Sequence, residues 1–141
     1  MSIPLAQRAD APEFVPLPGE HHGIEWEPLT GAHHGALAAL FARMEARDNP
    51  PYRTSAEEVE EMLSSASQWR GLVGIVRRGL GAGRMVAFAQ VVLRFPGRAE
   101  CVCVGGVDPD FRGIGLGSAI VDWQEGTARQ MLSEVEGDGP A

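Results

Sequence analysis

The residues best suited to chemistry lie together late in the chain, where Asp108 to Gly117 read DPDFRGIGLG. Gly113, Gly115 and Gly117 recur at every second position, directly after Arg112. Glycines let a backbone turn sharply and bring its N–H groups up to an anion with no Cβ in the way, and a guanidinium adds a fixed positive charge with several donors. An apolar strand signal precedes the segment and an amphipathic helix signal follows it, so the N–H groups gather at the positive end of a helix. The natural ligand of such a loop is a diphosphate. Two nucleotide-binding patterns do not fit. The chain has no GxxxxGK[ST], and a dinucleotide-binding GxGxxG would follow the first strand of a βαβ unit, whereas these glycines follow an antiparallel run.

Other chemistry-bearing residues are arranged less well. His21, His22, His33 and His34 form two adjacent pairs without the spacing of a metal site, so they read as surface residues and no metal is expected. Cys101 and Cys103 stand at i and i+2, which points both to one face of a strand, a poor geometry for a mutual disulfide. They read as reduced, apolar packing residues. Glu57, Glu58, Glu60 and Glu61 read as the solvent face of a short helix. The bases are all arginine, which removes any lysine-based mechanism, and a net charge of −7 leaves no basic footprint for nucleic acid.

The elements that must position the glycine loop follow from periodicity. Residues 1–23 contain Pro4, Pro12, Pro16, Pro18 and Gly19 without a sustained period and read as an extended arm. Ile24, Trp26 and Leu29 predict a first strand. Thr30 then caps a helix carrying Leu37, Leu40, Phe41 and Met44 on one face, which Asn49, Pro50 and Pro51 end. Thr54 or Ser55 opens a second helix through a capping box with Glu57 or Glu58, and Val59, Met62 and Leu63 form its apolar stripe. From Leu72 the period changes. LVGIV and MVAFAQVVL predict an antiparallel hairpin joined by Arg78 to Arg84, and after a turn at Pro96 and Gly97 the segment ECVCVGGV predicts another strand. That strand is apolar on both faces and is expected at the centre of the sheet. A longer helix starts near Leu116 and buries Leu116, Ile120, Trp123 and Met131.

With 141 residues, 44% of them apolar and 22% charged, the chain is one globular domain, and no apolar run nears the roughly 20 residues of a membrane-spanning helix. Neither membrane nor nucleic acid is expected as a partner. The start of the sequence has no basic region followed by an apolar stretch, which predicts a cytoplasmic location.

Arg112, Gly115 and Gly117 in RGIGLG, within VGGVDPDFRGIGLGSAIVDW, resemble the R/Q-x-x-G-x-G/A pyrophosphate loop of GNAT superfamily N-acetyltransferases. The order strand, helix, helix, strand, strand, strand, loop, helix is that of the first two thirds of a GNAT domain. The resemblance covers residues 24–133, read as an acyl-CoA-binding domain between the arm at 1–23 and a flexible tail at 134–141. It implies an α/β (α+β) fold with a mixed, mainly antiparallel sheet flanked by helices. It also implies acetyl-CoA as donor. Gly105, Gly106 and Val107 would then meet the thioester and pantetheine arm through backbone groups. Arg112, Gly113, Ile114, Gly115, Leu116, Gly117 and Ser118 would hold the pyrophosphate. The implied reaction is direct attack of an amine acceptor on the thioester carbonyl.

Some family members place a carboxylate general base on the fourth strand. Glu100 is the matching candidate here, one residue off the usual spacing from Arg112, which reverses the strand face unless a bulge intervenes. Tyr52, Arg53 and Arg47 flank the loop that commonly borders the acceptor site. A complete GNAT domain continues with a further strand, a fourth helix that often carries a tyrosine acid, and a final hairpin, whereas this sequence ends at GDGPA and its only tyrosine is Tyr52. The expectation is therefore an amino-terminal part of a longer protein, such as the tandem layout of mycothiol synthase, or a chain whose missing wall comes from a second copy. The alternative function is an inactive acyl-CoA-binding or structural, dimerising domain.

Overall fold

The chain alternates two kinds of burial, helical stripes and two-faced strands, and these assemble into three layers. The computed structural model describes residues 17–18, 23–64, 68–79, 81–94 and 100–138. Most of the arm expected over 1–23, together with the Pro96–Gly97 turn, lies outside them. Strand β1 (Ile24–Pro28) leads through a 3-10 turn (Gly31–His33) into α1 (His34–Asp48) and α2 (Ala56–Ser64). Strands β2 (Trp69–Val76), β3 (Met85–Arg94) and β4 (Glu100–Val107) follow, then a 3-10 turn (Pro109–Phe111) and α3 (Leu116–Asp138). Helix α3 runs through residues 134–138, which read as tail from sequence.

The sheet order is β1-β2-β3-β4, and every pairing among the described strands is antiparallel. Helix α3 covers one face, where Leu116, Ile120, Trp123 and Met131 pack with Ile24, Trp26 and the strand residues Leu72 and Val91. Helices α1 and α2 cover the other, with Leu37, Leu40, Val59 and Leu63 around Val73 and Phe88. The helix ends are capped much as their residues predict. The Ser55 hydroxyl accepts the Glu58 N–H at 3.1 Å while the Glu58 carboxylate accepts the Ser55 N–H at 3.3 Å, a closed capping box. Asn49 closes α1 in the left-handed conformation, with φ +47°. His33 has a local task, its Nδ1 accepting the Thr30 N–H at 2.9 Å, and His21 and His22 lie outside the described residues.

One expectation is corrected. Strand β4 is not central but stands at the edge of the described sheet, and β3, buried from Met85 through Val91, is central. The apolarity of β4 on both faces reports what lies above and below it, α3 on one side and α1 on the other. It says nothing about neighbours in the sheet plane, which are set by backbone pairing. Along β4 the odd positions face α3, so Cys101 packs against the α3-side core with its thiol 3.8 Å from the Ala128 carbonyl. Cys103 is exposed, so of the two expected packing cysteines only Cys101 packs.

The chain leaves β4 through Asp108, whose side chain has no exposed surface. Its Oδ2 accepts from Arg43 Nε of α1 at 2.6 Å and from Arg84 Nη2, just before β3, at 2.7 Å. The Asp110 N–H donates to Oδ1 at 2.9 Å, and the Asp108 N–H donates to the Val86 carbonyl at 2.7 Å. Arg43 Nη2 also reaches the Met85 carbonyl at 2.6 Å. Burial alone would raise the carboxyl pKa. The Asp110 N–H and the two guanidiniums outweigh it and hold the group below the usual carboxylate range.

Because the folded pKa is depressed, Asp108 stabilises the fold above about pH 4 and this contribution fades as pH falls below that. Removing one partner of a buried pair costs about 3–5 kcal/mol, and both arginines reach solvent, so Asp108→Ala is expected near the lower end, about 3 kcal/mol by urea unfolding at pH 7. The stability gap between the wild type and Asp108→Asn should shrink on going from pH 7 to pH 3. For the cysteines, burial and the neighbouring Cys103 push the Cys101 thiol up to about 11. Its thiolate fraction at pH 8 is then about one in a thousand. Iodoacetamide at pH 8 should alkylate Cys103 at least about tenfold faster than Cys101, as read by peptide mass spectrometry.

Candidate active site

The glycine loop begins where Asp108 ends β4. Asp108 caps the Pro109–Phe111 turn, and Arg84 lies over the Phe111 ring at 5.8 Å. Gly113 and Gly115 then take φ +83° and +93°, left-handed values that a side chain rarely tolerates, and these reversals set the chain into α3. The first helical bond runs from the Ala119 N–H to the Gly115 carbonyl at 3.1 Å, so the N–H groups of Leu116, Gly117 and Ser118 fall in the opening turn, where a helix supplies no acceptor. Gly113 and Gly117 border open space, since a Cβ on either would meet nothing within 4 Å. Ile114 is half-buried and Leu116 buried, which anchors the loop from beneath.

Gly105 and Gly106 have the opposite environment. A Cβ at Gly105 would stand 3.0 Å from the Phe88 carbonyl oxygen and 3.3 Å from Ile120. At Gly106 it would lie 2.6 Å from Met44 Sδ and 3.3 Å from the Phe88 ring. Both helices thus approach β4 closely because these two residues have no side chain. Buried Gln124 of α3 donates to the Val104 carbonyl at 2.9 Å and holds the strand from that side. The outer edge of β4 carries no strand among the described residues.

Between this edge and α1 lies a cleft of about 310 Å³. Val104, Gly105 and Gly106 form one wall, Phe41, Met44, Glu45 and Asp48 of α1 another, and Pro50, Tyr52, Phe88 and Arg112 complete it. Glu45 is buried and its carboxylate accepts the Thr54 N–H at 3.0 and 3.1 Å. Asp48 grips Arg112 as a bidentate pair, at 2.8 and 2.9 Å, and Arg112 Nε donates to the Val107 carbonyl at 3.2 Å. Hydrogen bonding from Arg112 is the main reason the Asp48 carboxyl lies below its ordinary value.

The structure therefore brings Gly105, Gly106, Val107 and Arg112 to one place, with Gly113 through Ser118 continuing from it. Glu100 stands apart. It is the exposed first residue of β4, opposite Arg94, in phase with Val104 and Gly106 but not among the residues around the cleft. Tyr52 lines the cleft, Arg53 folds its loop by donating to Pro50 and Asn49, and Arg47 is exposed outside the cleft lining. Sequence reasoning passed over Glu45 and Asp48. One signal was available for Asp48: a carboxylate ending a helix opposes the helix dipole and calls for a nearby cation.

No protein-family model matches the sequence, and no curated protein matches it. Solved structures do resemble it. The ribosomal-protein-alanine N-acetyltransferase of Brucella melitensis biovar Abortus 2308 is 21% identical with a TM-score of 0.56, over 77% of this chain and 74% of that one. A GCN5-related N-acetyltransferase of Sphaerobacter thermophilus is 27% identical with a TM-score of 0.60, over 83% of this chain and 35% of that one, so the chain spans about a third of that protein. A predicted acetyltransferase of Clostridium acetobutylicum, solved with acetyl-CoA, is 12% identical with a TM-score of 0.59, over 77% of this chain and 75% of that one. These neighbours are acetyltransferases, and the element order, antiparallel sheet and glycine loop described above coincide with what they share: the chain has the fold of the GCN5-related N-acetyltransferase (GNAT) superfamily.

Proposed function

We propose that the chain is an acyl-CoA-dependent N-acetyltransferase domain, with Arg112 to Ser118 receiving the coenzyme A pyrophosphate and the cleft beside β4 receiving an amine. The observation that carries this reading is continuity. Arg112 belongs both to the glycine loop and to the cleft, and Val104 to Gly106 join the two along an unpaired strand edge. A donor laid from the loop along that edge would hydrogen-bond its amide-rich arm to β4 backbone groups and bring its thioester to the cleft mouth. A backbone N–H at that point polarises the thioester carbonyl.

The neutral amine nitrogen attacks that carbonyl carbon and the C–S bond breaks. The sulfur leaves as thiolate and is protonated, and the proton given up by the acceptor ammonium goes to solvent. The products are the amide and free coenzyme A. One observation favours a second reading, binding without turnover. Among the described cleft residues both carboxylates are engaged, Glu45 by the Thr54 N–H and Asp48 by Arg112, and Glu100 lies outside the cleft. A proton acceptor for the incoming ammonium is then left to water.

Titration calorimetry should show micromolar binding of acetyl-CoA, and Gly115→Val should weaken it at least about tenfold, because φ +93° at this position excludes a branched residue. Unchanged affinity in a folded Gly115→Val protein would place the donor elsewhere. Release of free thiol with primary amines supports the transferase, whereas tight binding without thiol release supports the second reading.

A further inference from the structure

Arg112 of the glycine loop is not free to meet a diphosphate in this structure, because both of its Nη atoms are spent on Asp48 at the end of α1. Asp48 lines the cleft on the acceptor side, at the negative end of a helix dipole where a carboxylate is disfavoured without a cation beside it. Buried Glu45 adds a second negative charge to the same wall. The remaining surface is apolar and aromatic, with Phe41, Met44, Tyr52 and Phe88. Without Arg112 this cleft would attract a cation carried on an apolar body.

We propose that Asp48 is the acceptor-recognition residue, masked by Arg112 in the free chain and uncovered when a donor's diphosphate draws Arg112 away. The inference rests on the donor site proposed above and adds a substrate class, a primary ammonium on an apolar or aromatic body. It also adds an order, donor before acceptor. The exchange is feasible because the pair is exposed, 43% at Arg112 and 49% at Asp48, and such pairs hold weakly in water. A diphosphate offers the same guanidinium a doubly charged, bidentate partner. Once Arg112 turns to it, the cleft loses its one positive lining residue among those described and keeps both carboxylates. Asp48 acts here by positioning the ammonium, and its low pKa suits it to hold a cation rather than to remove a proton.

The test is binding of phenethylamine, measured by calorimetry with and without saturating coenzyme A, which has the diphosphate but no acyl group to transfer. In the wild type, coenzyme A should tighten phenethylamine binding about fivefold. Arg112→Gln should bind phenethylamine about fivefold more tightly than the wild type with no coenzyme A present, since its carboxylate is permanently uncovered. Asp48→Asn should bind it weakly under every condition and should bind coenzyme A more tightly than the wild type, while pantetheine, which lacks the diphosphate, should not distinguish the two proteins. Equal phenethylamine affinity in the wild type and Arg112→Gln, or no binding to Arg112→Gln, overturns the proposal. Failure of coenzyme A to bind the wild type overturns the donor site instead, and the comparison between wild type and Arg112→Gln, made without coenzyme A, still judges Asp48.

Discussion

A carboxylate with no exposed surface must be matched by cations and donors, and Asp108 finds them in three parts of the chain that have no other reason to meet at one point. Arg43 comes from α1, Arg84 from the end of the β2–β3 connection, and the Asp110 N–H from the turn that follows. Desolvating the charge is costly, and the cost is offset only when all of these groups are in place. The exit direction of β4 is thereby tied to α1 and to the start of β3. Since the glycine loop begins where Asp108 ends the strand, its position beside the cleft follows from this one ion.

Arginine suits this role where lysine would not. Arg43 donates through Nε to Asp108 and through Nη2 to the Met85 carbonyl, and Arg112 spans both oxygens of Asp48 while its Nε reaches Val107. A lysine ammonium is a point charge and cannot hold two directions apart in this way. The same habit recurs at Arg70 with Gln130 and Glu134, and at Arg77 with Glu27. In an acidic chain, several arginines are thus spent on cross-links between elements distant in sequence, and Arg112 is the one placed at the mouth of the cleft.

Packing decides the shape of the cleft. Gly105 and Gly106 let Phe88, Ile120 and Met44 close on β4 to distances that a Cβ would violate, and Gln124 fixes the strand from the α3 side. Both faces of β4 are consequently occupied while its outer edge is not. An unpaired edge is usually a liability. In this fold it lies between an anion-binding loop and an apolar cleft, where an extended ligand could use its backbone groups.

Much of this was present in the sequence by itself. Hydrophobic period assigned Leu37 and Leu40, Val59 and Leu63, and Ile120 and Trp123 to buried helix faces, because burial of one face of a helix is a local property of spacing. The loop from Arg112 to Ser118 was equally legible, since glycine in a turn before a helix has few other physical uses. What tertiary structure alone decided were relations across long separations: Asp108 with Arg43 and Arg84, Asp48 with Arg112, and the edge position of β4. An apolar strand tells what covers its faces but not what flanks it in the sheet plane. Spacing likewise puts Glu100 in phase with Val104 and Gly106 once the register is known, yet its distance along the strand keeps it out of the cleft. Period is written in neighbouring residues, whereas ion pairs and strand order arise only when distant segments are brought together, and no local pattern encodes which carboxylate a given arginine will meet.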